Sequence, residues 1–292
     1  MAANPMPSGA AEAHVPVSRL LSGPHRLLGS VLLKTIRDQF PTILAWVVGL
    51  VAIITLYLSF YPSIRSDPSL TTLKSDALPA GVSTAFGLDA DLSVGSAYLN
   101  ATLFNLILPW LFIAYAVSNG TRMVAGDEDR GLLDVLLSLP VRRDRIVLDR
   151  FAALTILIAV LMVFAGAAVW LVGLAVDIGV PVVDIAAAVV ATALLGLSVG
   201  TVGLAIGALT GRPSLATGGS LAFALASYLL DTIGEAVVSI DGLRRVSVFY
   251  AAYGNEPASS GFGWSGILAL LGLTVVLTAV AVHGFARRDI RS

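Results

Sequence analysis

Residues able to do chemistry are few in this 292-residue chain, and their spacing excludes more than it permits. There is no cysteine, so disulfides, thiolate metal sites and cysteine nucleophiles are ruled out. The three histidines, His14, His25 and His283, lie far apart and form no HExxH or other ligand pair. The only lysines are Lys34 and Lys74, and neither follows a glycine loop that would cradle ATP phosphates. No GxSxG elbow is present. The formal net charge of −1 gives no basic footprint for nucleic acid. Enzymatic function therefore has little support, and no cofactor is expected on this chain.

Three constellations remain. The densest charge lies in Arg122–Arg150, where six basic and six acidic residues nearly cancel. Within it the acids Asp127, Glu128 and Asp129 precede an apolar periodic run of Leu132, Leu133, Leu136 and Leu137, and Pro140 follows. Acids suit the first turn of a helix, where the dipole is positive, and proline stops one. A short amphipathic helix is predicted there. Its apolar face needs a partner: lipid, the rest of the protein, or a separate cytoplasmic subunit. The second constellation is Gly196, Gly200, Gly203 and Gly207, whose steps of four, three and four share one helix face. In lipid such a face allows close backbone packing, either inside the protomer or at a dimer interface or moving gate. The third is Asp231 with Glu235, which either ends a span in the interface or sits in the bilayer as an ion, proton or gate site.

The elements that must position these groups follow from where charge is missing. Hydrophobic residues make up 57% of the chain and charged residues 13%, about half the roughly 25% usual in soluble domains. Disorder and a soluble globule are both excluded, and an integral membrane protein is implied. A spanning helix needs roughly 20 mostly apolar residues. Six stretches qualify, approximately 41–61, 101–119, 151–175, 185–209, 214–235 and 264–285. They lack the alternation of barrel strands, and open strands cannot span lipid. The fold class expected is an all-α polytopic membrane protein of six transmembrane helices, one domain over residues 18–292. Residues 1–17, rich in Ala and Pro and without a basic n-region, read as a disordered tail rather than a cleaved signal. From Leu20 to Phe40 apolar residues recur at roughly helical spacing with Arg26, Lys34 and Arg37 between them. This predicts either an amphipathic helix on the inner leaflet or an ordinary basic flank. A short helix is expected near 78–88. With the N-terminus cytoplasmic, 14 of the 18 Lys and Arg residues fall inside, so both termini are placed there.

The segment Glu128-Asp-Arg130-Gly131-Leu-Leu133-Asp134-Val-Leu136-Leu137-Ser-Leu-Pro140-Val141-Arg-Arg143 resembles the E-x-x-G-T-L-x-x-L-L-x-x-P-V-S-R signature of ABC-2-type transporter permeases. The family Thr is Leu132 here and its Ser is Arg142. The ending Phe285-Ala-Arg-Arg288-Asp289 is similar to the family's F-x-R-R-D, and Val246–Tyr250 to a degenerate outer S-P-F-x-Y with Val248 for the proline. The resemblance implies a permease paired with a second copy and with two separately encoded ATPase subunits, which hold ATP and Mg. It also implies a coupling helix around Glu128–Leu139 that docks on the ATPase, an N-terminal elbow helix, and alternating access in a prokaryotic inner membrane. Phe104, Trp110, Phe112, Tyr115, Phe164 and Trp170 either line a hydrophobic path or face lipid. A hydrophobic or amphipathic cargo such as a drug, antibiotic or lipid is expected. A different class, a secondary transporter or channel using Asp231 and Glu235, is the alternative.

Overall fold

The structure is a computed structural model, and it describes residues 24–66, 91–123, 143–236 and 241–287. The predicted tail, the 78–88 helix and the coupling helix lie outside the described residues. Every regular element within them is helical. Six helices are long and apolar enough to cross a membrane: Gln39–Ser66, Gly95–Thr121, Asp144–Ala175, Val182–Thr210, Pro213–Gly234 and Trp264–Arg287. We refer to them as the first to sixth spans. Helices suit this composition because each satisfies its own backbone groups where no water can. Hydroxyls are carried in the same way: Thr155, Thr201 and Ser220 each donate to the carbonyl one turn earlier.

The fourth span is the centre. It packs against the second, third, fifth and sixth spans, while the first packs chiefly on the third. Of its most apolar stretch 67% is buried, against 22% for the fifth span and 28% for the first and sixth. Its sequence explains the position. It is built largely from Gly, Ala, Val and Leu, so four neighbours can approach one thin helix. It ends at Gly211, which adopts the left-handed conformation (φ 64°) that favours glycine and donates its N–H to the Gly207 carbonyl at 2.8 Å.

Two elements differ from the sequence expectation. The expected elbow helix is continuous with the first span: one helix runs Pro24–Ser59, with Pro24 at its first position and Pro41 inside it. Proline is favoured at a first helical position. The second span begins at Gly95, earlier than the expected 101, and contains a π-helical stretch, Asn100–Ile107. Pro109 supplies a reason for it. In an α register its ring would collide with the Asn105 carbonyl, and the wider π turn relieves that. Just before this span, the Asp91 carboxylate accepts from the Ser93 hydroxyl at 2.6 Å and the Ser93 N–H at 3.0 Å. These bonds hold its carboxyl below the usual range.

Candidate functional site

The two ends of the bundle are built differently. At the end next to residues 124–142, here the loop end, backbones touch. A Cβ on Gly200 would lie 2.8 Å from the Ala116 Cβ, and one on Gly120 would strike the Gly200 carbonyl. A Cβ on Gly196 would stand 3.0 Å from Phe112 Cβ, and one on Gly203 would meet Ser220 Oγ at 2.7 Å and Thr121 Cγ2 at 2.8 Å. The Thr217 hydroxyl reaches Thr121 Oγ1 at 3.3 Å, tying the fifth span to the second. Gly219 likewise faces Ile206, whereas Gly218 faces open space. A separate small core of Val147, Leu204, Ala205, Ala208, Ala281 and Phe285 joins the third, fourth and sixth spans there. The two spans that flank residues 124–142 are thus both fixed to the fourth.

At the far end side-chain contacts join backbone ones: a Cβ on Gly266 would strike the Ala251 carbonyl, and one on Gly95 the Ile178 carbonyl. After the fifth span the chain forms a hairpin of short helices, Asp241–Arg244, Val248–Tyr253 and Pro257–Ser260, before the sixth. Ser247 caps the second of these: its Oγ accepts from the Phe249 and Tyr250 N–H groups and donates to the Ser227 carbonyl at 2.7 Å. The Tyr253 hydroxyl meets Thr192 Oγ1 at 2.8 Å. Burial pushes the Tyr253 phenol up, so it stays neutral and able to donate. Arg244 Nε lies 3.2 Å from Asp231 Oδ1, with both side chains less than a fifth exposed. The Arg244 guanidinium carbon also stands 5.3 Å from the centre of the Tyr250 ring, a cation–π contact. A Cβ on Gly234 would strike the Arg244 stem, so this glycine makes room for the pair. Beneath, Trp110, Tyr228 and Phe249 form a triangle with centroids 5.3 to 5.9 Å apart.

The structure sorts the predicted residues unevenly. Glu128, Arg130, Gly131, Leu133, Asp134, Leu136, Leu137 and Pro140 lie outside the described residues, and Arg143 begins the third helix. Gly196, Gly200 and Gly203 meet other spans of the same chain. Gly207 is buried, and its carbonyl accepts the bond that ends the helix. Asp231 is paired, and the Glu235 backbone belongs to the helix Pro213–Ala236. Among the aromatics, Phe104, Phe112 and Tyr115 are core residues, while Phe164 and Trp170 are exposed by 48% and 42%. The first three therefore neither line an open path nor face lipid. Only Trp110 joins the far-end triangle. Sequence reasoning missed Arg244 as the partner of Asp231, Thr192 as the partner of Tyr253, and Gly120 as the contact of Gly200. Gly120 was the findable one, lying four residues after Ala116 on one face of the span.

Fold and packing define the class: a polytopic helical membrane protein whose second and third spans hold a charged loop between them. A family model described as ABC-2 family transporter protein matches residues 30–290, and the chain belongs to that family. It is thus a multi-pass membrane transport subunit, with ATP hydrolysis assigned to a separate ABC ATPase. A search of curated proteins found no match.

Proposed function

We propose that this subunit exports a hydrophobic or amphipathic cargo, such as a drug, antibiotic or lipid, by alternating access. Two copies of a separately encoded ATPase, which hold ATP and Mg, drive a pair of permease chains. Both termini face the cytoplasm of a prokaryotic cell, because the positive charges cluster at the loop end. The observation that carries this reading is the loop end itself. Residues 128–139, part of the family's signature, lie in sequence between two spans that both pack on the central helix. The second span, which precedes that loop, meets the fourth closely at Ala116 and Gly120.

Co-purification tests the coupling role. Glu128→Ala with Gly131→Leu is expected to lose at least tenfold in captured ATPase while the permease still reaches the membrane. Undiminished capture would remove the coupling role. The export role fails if vesicles transport without ATP and require an ion gradient instead. That outcome would favour the secondary-transporter alternative with Asp231 and Glu235. The Asp231–Arg244 pair speaks against it, because the Asp231 charge is already compensated at 3.2 Å.

A further inference from the structure

We propose that the loop end of the seam between the fourth and sixth spans binds an anionic phospholipid. Arg212 and Arg287 take the headgroup phosphate, and an acyl chain lies along Leu209, Val280 and Val276. The site belongs to the leaflet on the loop side and is independent of the cargo.

The two arginines reach the seam by different routes, and each is held in place. The fourth span ends at Thr210 and the fifth begins at Pro213, so only Gly211 and Arg212 join two rigid helices. The Arg212 N–H donates to Thr210 Oγ1 at 3.3 Å, and its carbonyl accepts from the Ala216 N–H at 3.1 Å, so its backbone is tied on both sides. Arg287 ends the sixth span within the Phe285-Ala-Arg-Arg288-Asp289 ending. Phe285 is buried in the small core with Val147, Leu204 and Ala208, which anchors the last turn, and Arg287 two residues on is exposed. A Cβ on Gly284 would strike the Leu209 side chain, so the fourth and sixth spans touch here. Arg212 follows Leu209 by three residues and Arg287 follows Gly284 by three, so both cations stand about one turn from that contact.

Both side chains are exposed, and neither has an ion-pair partner among the described residues. The described acids at this end are Asp38, Asp144 and Asp149, on the first and third helices. The seam therefore carries positive charge that no described carboxylate offsets, in the fork geometry that suits phosphate. Below the charge the surface is apolar. Val276, Val280, His283 and Arg287 step by four, three and four, so they share one exposed face of the sixth span. Val276 is 59% exposed, Val280 43% and Leu209 46%, all within the membrane-crossing lengths Val182–Thr210 and Trp264–Arg287. Apolar surface followed by cations along one face is the order of chain and headgroup in a leaflet. A soluble acidic partner could touch Arg212 and Arg287 but not Val280 and Val276, about 10 and 16 Å deeper by helical rise. A second copy pairing this face two-fold on itself would set arginine against arginine. An anionic phospholipid meets both halves of the surface.

Native mass spectrometry of the delipidated permease with its ATPase, titrated with phosphatidylglycerol or phosphatidylcholine, tests the site. Phosphatidylglycerol is expected to bind about tenfold more tightly, and Arg212→Gln with Arg287→Gln should cut that preference to about twofold or less. Arg212→Lys with Arg287→Lys should keep most of it. Arg145→Gln removes an exposed cation of the same end on the third span and should leave the preference unchanged. A preference that survives the double Gln variant overturns the site, and an equal loss with Arg145→Gln overturns its location. Inorganic phosphate in large excess should not displace the lipid; displacement would mean a free-anion site and overturn the lipid. If the double Gln variant loses captured ATPase while keeping its lipid preference, the face is a protein surface and the proposal fails. Should that variant not fold, the unaltered complex decides: phosphatidylglycerol with a photoreactive acyl chain is expected to label residues 206–209 and 276–283, and labelling confined to other spans overturns the site.

Discussion

The loop end and the far end of this bundle both bring backbones together at glycines, and differ in what is added to that contact. At the loop end glycine backbones meet with no side chain between them, as at Gly120 and Gly200. At the far end the hairpin meets the sixth span in the same way, at Ala251 and Gly266, and is held in addition by rings, hydroxyls and an ion pair. Backbone contact tolerates almost no displacement, because any added atom collides and any separation opens a void. Side-chain contact can be broken and re-formed by rotating a few torsions. The side-chain contacts added at the far end are therefore the ones that can rearrange.

Three substitutions probe that contrast, from strong to weak. Gly200→Leu should be the most damaging, since even a Cβ there meets Ala116 at 2.8 Å. Overpacking of this kind costs about 1–3 kcal/mol per poorly accommodated group and more when backbone must move. Loss of monodisperse protein in detergent is expected, and a well-folded variant would break the claim of rigid contact. Thr192→Val should be intermediate. It strips the Tyr253 hydroxyl of its partner, at about 1–3 kcal/mol for a buried unsatisfied group. The double variant Thr192→Val with Tyr253→Phe should regain most of the lost thermal midpoint, because neither polar atom then remains. If the double variant is no better than the single, the hydroxyl bond does not hold the hairpin. Arg65→Ala should be weakest. Its pair with Asp177 is 54% and 89% exposed, and such pairs contribute about 0–1 kcal/mol. A large drop in melting temperature there would show that outer loops carry more of the stability than the spans suggest.

The legibility of this molecule follows the same division. The glycines of the fourth span were readable as a face because a helix repeats every 3.6 residues. What they face was not, since Ala116 and Gly120 lie far away in the chain. Asp231 was readable as an oddity in an apolar segment. Its resolution by Arg244 depends on the helix Asp241–Arg244 packing back on the fifth span, which no periodicity announces. The aromatic residues show the limit most clearly. Phe104 and Phe164 look equivalent in sequence, yet one is fully buried and the other is 48% exposed. In spans that are apolar all round, sequence pattern does not distinguish lipid from neighbouring helix.

The sequence by itself determined that six helices cross a membrane and that a charged, signature-bearing loop joins the second and third. Both follow from the energetic penalty on charge and unpaired backbone in hydrocarbon, which acts on each segment separately. Only the tertiary structure decided that the fourth span is the centre, that its glycines take the second and fifth spans as partners, and that Asp231 is paired with Arg244. These are contacts between segments, set by which surfaces fit, and lipid tails are as apolar as the helices they would replace.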